Sequence, residues 1–340
     1  MVIAPQPHLF SSRRTADRQS SSRAQKALLC DMSLPFRRLF YPLGFEVEIL
    51  TNDFRVLEAA EESFGHSSSR YGSTDLHIRI GVTDEKVVAP PQEPIRREYD
   101  HLYSLVADRE NHALLDLQSG ANFTWINEGA LTSQLYLRHQ FLEKVVYLML
   151  GAFVVTDIHA GCVSRNGKGI LLCGDSGAGK STLAYGCARA GWTYTSDDTV
   201  YLINSFESPR VVGHSHRVRF RPAAKELFSE LEHHTVTPRM EGKPSIEVSL
   251  SDLPPMSSSP EAEVSAIVYL KRSSEAKRAL VQLPRGIAPK RLSEELYSAG
   301  RIRAKHKKIL RRFANIPTYE LHYRALDEAI EMLENLTNEP

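Results

Sequence analysis

Apolar and polar positions alternate in Phe45-Glu46-Val47-Glu48-Ile49 and again in Leu76-His77-Ile78-Arg79-Ile80, the period-2 pattern of half-buried strands. Between them Asp53 stands as a helix cap before Val56, Ala59 and Phe64 at helical spacing. Residues 89–94 are Pro-rich and read as a loop. Stretches 102–106, 113–117 and 123–126 read as short strands, and 135–150 as a helix. That helix runs into the longest apolar run, residues 145–155. A membrane-spanning helix needs ~20 residues, so this run is expected in a core. Strands are then expected at 154–158 and 169–173, followed by a helix, a strand near Tyr194 and another at 200–203. Strand, glycine loop, helix, strand is the rhythm of a nucleotide-binding sheet. A surface loop at 257–261, a strand at 265–270 and a closing helix through Leu326, Ile330, Leu333 and Leu336 complete the pattern. No internal repeat interrupts it.

The pattern divides the chain in three. Residues 1–34 are rich in Ser and Arg with only Asp17 and Asp31 as acids; they read as a disordered tail, or as a start upstream of Met32, and share the bias of organellar transit peptides. Residues 35–148 form a small mixed α/β unit without a catalytic motif, and residues 149–340 carry the nucleotide-binding rhythm.

Composition narrows the function. With 42 Lys plus Arg against 41 Asp plus Glu, the net charge is +1. That balance argues against a nucleic-acid-coating protein, and no membrane span is expected. The four cysteines (Cys30, Cys162, Cys173, Cys187) form no CxxC and read as reduced thiols of a cytoplasmic protein.

Gly174-Asp175-Ser176-Gly177-Ala178-Gly179-Lys180-Ser181 fits the P-loop (Walker A) pattern, preceded by the buried-strand run Ile170-Leu171-Leu172-Cys173 and followed by Thr182-Leu183-Ala184-Tyr185 as a helix. Its glycines let successive N–H groups point inward at a phosphate, and the helix start adds its positive dipole end. Lys180 is expected on the β- and γ-phosphates of ATP, and the Ser181 hydroxyl on Mg²⁺. Seventeen residues past Lys180, Asp197-Asp198 ends a strand expected beside that of the P-loop. One carboxylate there can hold Mg²⁺ and the other can take a proton from an attacking hydroxyl.

His159-Ala160-Gly161-Cys162, the P-loop and Ser196-Asp197-Asp198-Thr199-Val200 together resemble the C-terminal domain of HPr kinase/phosphorylase, most specifically over residues 155–203. The resemblance implies a P-loop kinase domain of the phosphoenolpyruvate-carboxykinase-like type, and ATP-dependent phosphorylation of a serine on a protein or peptide. It implies that Asp197 accepts the proton, Asp198 ligates Mg²⁺ and His159 is the active-site histidine. It also suggests an oligomer. The chain departs from the family in carrying Thr182-Leu183 after the P-loop serine and in lacking a Glu-Ile-Arg-Gly-Leu-Gly segment. The alternative from another class is a regulatory module that senses ATP without transferring phosphate; ATP hydrolysis driving an assembly is a third.

Two basic features remain open between a role and solvent. Arg217, Arg219 and Arg221 share one side of an alternating stretch, and seven Lys/Arg without an acid occupy residues 301–312 at amphipathic helical spacing. Either could meet phosphate or an acidic partner, or form a solvated face. His214, His216, His233 and His234 lack the cysteine or carboxylate that would complete zinc-ligand spacing.

Overall fold

The computed structural model describes residues 32–84, 92–237 and 244–338, except 274, 276, 297 and 299. The tail expected at 1–34 lies almost wholly outside the described residues, as do Cys30 and part of the 89–94 loop. The chain is a mixed α/β protein built on mixed sheets.

Seven strands form the first sheet: β1 (Phe36–Phe40), β2 (Phe45–Thr51), β3 (Tyr71–Thr83), β4 (Ile95–Tyr99), β5 (Leu102–Val106), β6 (His112–Asp116) and β7 (Asn122–Asn127), in the order β1-β2-β3-β7-β6-β5-β4. Helix α1 (Phe54–Phe64) crosses between the parallel strands β2 and β3, and the Asp53 carboxylate caps it by accepting from the Arg55 N–H. The alternation of β2 is realised as alternating burial. Strands β1 and β4 lie at the two edges and are almost wholly exposed; with no buried face they leave no alternating signal in the sequence.

The single helix expected at 135–150 is broken. One turn at Gln134–Tyr136 leads into a π-helical stretch, Leu137–Glu143, before α2 (Lys144–Phe153). The wider coil puts residues five apart on one face, so Arg138 lies 3.3 Å from Glu143. Residue 148, where the sequence divides the two larger units, falls inside α2.

The second sheet contains β8 (Val155–Ile158), β9 (Gly161–Arg165), β10 (Lys168–Cys173), β11 (Thr193–Ser196), β12 (Val200–Ile203), β13 (Arg210–Gly213), β16 (Glu261–Arg272), β17 (Ala279–Gln282) and β18 (Thr318–Tyr323). A separate hairpin pairs β14 (Arg217–Phe220) with β15 (Ile246–Ser249). The main path runs β11-β9-β10-β16-β13-β12-β8, and β18 joins the far half of β16. β10 is buried on both faces: Ile170 and Leu172 pack towards α3 (Lys180–Arg189) and α6 (Leu326–Asn338), whereas Leu171 and Cys173 pack towards α4 (Ile287–Glu294) and α5 (Gly300–Leu310). A third core joins the first sheet to Val155, Tyr201, Ile203 and Val212 of the second. Cys162, Cys173 and Cys187 are free and buried, and burial pushes the Cys162 thiol up to about 12.

Three cations of the basic run at 301–312 are engaged by the chain's own backbone, while Arg301, Lys307, Lys308 and Arg311 are exposed. Lys305 donates to the carbonyls of Ala152 and Phe153 at the end of α2, at 2.8 and 3.2 Å. Arg312 donates to those of Ile203 and Asn204 at 3.1 and 2.7 Å, and Arg303 to that of Leu296 at 2.7 Å. These cations satisfy chain-end carbonyls that the helix and strand leave open.

Candidate functional site

The P-loop wraps from the end of β10 into α3. Gly174, Gly177 and Gly179 all have positive φ, at 144°, 92° and 99°, which only glycine adopts freely. The tip, Asp175-Ser176-Gly177, is exposed, and Gly174, Ala178, Ser181 and Thr182 are half-buried. Lys180 turns inward and is 5% exposed. Its ammonium donates to the Gly174 and Asp175 carbonyls at 2.6 and 3.3 Å and stands 3.0 Å from His159 Nε2. The loop is braced from behind by Tyr323, whose hydroxyl donates to the Ala178 carbonyl at 3.0 Å. A Cβ at Gly179 would lie 2.7 Å from that hydroxyl. Gly179→Ala is therefore expected to cost about 1–3 kcal/mol through its left-handed backbone and to weaken nucleotide binding, checked by denaturation and titration with ATP. A variant that unfolds and binds like the wild type would remove this account of the loop.

Asp197 and Asp198 follow β11. The strand beside β10 is β9 rather than β11, because residues 161–165 form a hairpin with β10 that the sequence reading did not place as a strand. β11 and β10 are both antiparallel to β9 and so run the same way. The aspartates consequently open at the same sheet end as the P-loop.

Asp197 is 7% exposed. It accepts from the Tyr194 hydroxyl at 3.1 Å, from the Arg219 N–H at 3.2 Å and from the Ser181 hydroxyl. Burial, reinforced by the neighbouring Asp198 charge, nevertheless pushes its carboxyl up to about 6. Asp198 is far more open, with a side-chain exposure of 45%, and lies 3.6 Å from His159 Nδ1. Burial holds the His159 ring towards its neutral form, with the Lys180 charge adding to the effect and Asp198 opposing it. His159, Lys180, Ser181, Asp197 and Asp198 thus form one contiguous cluster. Mg²⁺ takes one or two protein oxygens, with waters and substrate phosphates completing its shell. The hydroxyl of Ser181 and two adjacent carboxylates suit that requirement.

The arginines of β14 separate by partner. Arg217 lies 3.2 Å from Glu247 and 3.7 Å from Glu143, and Arg219 lies 2.6 Å from Glu247. Arg221 has no carboxylate partner among the described residues and stands 3.5 Å from the Ser176 hydroxyl on the P-loop. On the other side of β10 from the aspartates, a cavity of about 370 Å³ adjoins Gly174 and Asp175 and is lined also by Tyr269, Lys271, Arg291 and Glu295. Among the described residues the Tyr269 hydroxyl and one Glu295 carboxylate oxygen are buried without a partner. Neither residue, nor Tyr323, carries a motif that a sequence reading could find. Among the described residues no three His, Cys, Asp or Glu side chains are placed to hold a metal ion by themselves. No helix among them is long and apolar enough to cross a membrane.

No family model matches the chain, and no curated protein matches it. Among solved structures, the Hpr(Ser) kinase/phosphatase from Coxiella burnetii is similar over 54% of this chain and 99% of its own, at 12% identity and a TM-score of 0.30.

Proposed function

We propose that this chain is a kinase that transfers the γ-phosphoryl of ATP to a serine hydroxyl of a protein or peptide, on a phosphoenolpyruvate-carboxykinase-like P-loop domain. The observation that carries this reading is Asp197, a buried carboxylate hydrogen-bonded to the P-loop serine and titrating near 6. A base is most effective when its pKa lies near the working pH, and this one is hydrogen-bonded to the serine that follows Lys180 in the glycine loop.

Asp197 takes the serine proton as the serine oxygen bonds to the γ-phosphorus and the bond to the bridging β,γ-oxygen breaks. Lys180 and the loop N–H groups other than that of Ala178, which donates to the Asp175 carbonyl at 3.0 Å, hold the charge on the phosphates. Ser181 and the open Asp198 would hold Mg²⁺, which neutralises phosphate charge when bound. His159 lies between Lys180 and Asp198 and fixes both. The cavity beside Gly174 and Asp175 receives the nucleoside, whose hydroxyls supply partners to Tyr269 and Glu295.

The test incubates the protein and Mg·ATP labelled on the γ-phosphate with lysate from its own source. A phosphoserine band is expected from the wild type and from neither Lys180→Ala nor Asp197→Asn. ATP binding is expected to fall at least about tenfold in Lys180→Ala only. ATP bound by the wild type without any labelled protein would turn the reading to a nucleotide sensor.

A further inference from the structure

A second cavity, of about 310 Å³, lies where the first sheet meets the second. Its polar wall comes from the turn after α1, with His66, Ser67, Ser68 and Arg70, and from the turn before β14, with His214 and His216. No carboxylate lines it. Among the described residues none of the three imidazoles has a hydrogen bond or ion pair, and the Arg70 guanidinium has none either. The rings meet only other rings: His66 and His216 have centroids 3.4 Å apart, and His214 packs 5.3 Å from Tyr147 and 5.9 Å from Tyr201. The wall therefore presents N–H donors and a cation to the cavity with no protein acceptor among the described residues.

The charges behind this wall reinforce that character. Glu143, the acid whose charge acts on all three rings, is engaged by Arg138, His139 and Arg217. Burial first, and then Arg217 for His66 and His214 and the His66 ring for His216, holds all three imidazoles towards the neutral form against the opposing charge of Glu143. A bound anion would relieve both the unpaired donors and the crowded positive potential.

The cavity's position relates it to the active site. His216 immediately precedes β14, and three residues on, the Arg219 N–H holds Asp197. At ~3.3 Å per extended residue that is about 10 Å. Two residues further, Arg221 stands at the P-loop. The cavity wall also abuts β11, which ends just before Asp197, since a Cβ at Gly213 would lie 2.7 Å from the Ser196 Cβ.

We propose that this cavity is an oxyanion subsite that holds a carboxylate of the phosphate acceptor, an Asp or Glu about three residues from the serine. The proposal rests on the kinase reading for its occupant. The shared chemistry, an oxyanion on imidazole N–H groups and a guanidinium, could also be met by free phosphate, so the test separates the two.

One arm measures labelled transfer to nine-residue peptides with a central serine and a single Glu moved through each other position. A Glu about three residues away is expected to raise kcat/KM about tenfold over the other placements. That advantage should vanish in Arg70→Ala and in His66→Gln, whose side chains have no hydrogen-bond partner among the described residues, with ATP affinity unchanged. The other arm needs no transfer: the imidazole resonances of His66, His214 and His216 are followed by NMR while a hexaglutamate peptide, or inorganic phosphate, is added. Shifts with the peptide, weakened in Arg70→Ala, support the subsite; shifts with phosphate alone, or with neither, overturn it. Transfer without preference for any Glu position also overturns the subsite and leaves the kinase standing. Peptide-induced shifts without transfer to any peptide would keep the carboxylate site and remove the kinase.

Discussion

Asp197→Asn is expected to lower phosphoryl transfer by about 10²–10⁴-fold, the range for loss of a positioned base, while ATP still binds. The same change should make the protein more stable at neutral pH. In the fold the carboxyl titrates near 6, against an ordinary 3.8. Between these values the folded state retains a proton that the unfolded chain has released, so stability falls as pH rises from about 3.8 to about 6 and stays lower above it. The difference amounts to about 3 kcal/mol at most, less what the Arg219 N–H and Tyr194 hydroxyl lose when the carboxylate goes. Denaturant unfolding at pH 4 and pH 8 checks this, with a gain in Asp197→Asn expected only at the higher pH. An equal effect at both would mean that the buried charge is not its source. The rate of transfer in the wild type should rise through pH 6 for the same reason.

The largest loss of stability is expected at Glu143→Ala. Glu143 ends the π-helical stretch, and its carboxylate meets the Ser63 hydroxyl at 2.9 Å, His139 at 3.0 Å and Arg138 at 3.3 Å, with Arg217 at 3.7 Å. Burial by itself pushes this carboxyl up, but the hydrogen bond from His139 and the charges of Arg217, His139 and Arg138 outweigh it and hold it well below its ordinary 4.5. Truncation takes a buried carboxylate from Arg138 and Arg217, which keep only their outer partners Glu62 and Glu247, and costs about 2–4 kcal/mol. The contribution of Glu143 is present above pH 4.5 and is lost as pH falls towards its depressed value. The gap between wild type and Glu143→Ala should therefore be widest near pH 7 and shrink below pH 4. A gap that stays constant with pH would point to lost packing instead of a lost charge.

Several features were legible because they are local. β2, β5 and β10, the Asp53 cap of α1 and the spacing of α1 and α6 follow from cap chemistry, from periodicity or from an unbroken apolar run. The glycines of the P-loop announce a backbone that other residues cannot adopt. Asp197-Asp198 could be placed at a strand end from spacing alone. Other features lack a local signature. The edge strands β1 and β4 bury no face. The π turn at 137–143 follows from what Arg138 and Glu143 meet, and β9 slips between β10 and β11 because a short hairpin fits there. In one stripe of three arginines, Arg217 and Arg219 are neutralised by Glu143 and Glu247 while Arg221 reaches the P-loop, and nothing in their alternation distinguishes them.

By itself the sequence determined the mixed α/β character, the glycine loop between β10 and α3 and the chemical identity of the groups at its mouth, since each is set by neighbours a few residues away. Only the tertiary structure decided which of those groups are desolvated and what stands behind them. The pKa of Asp197, the brace of Tyr323 on Ala178 from 145 residues away and the gathering of His66 with His214 and His216 all arise from burial and from contacts between distant segments, which no local pattern encodes.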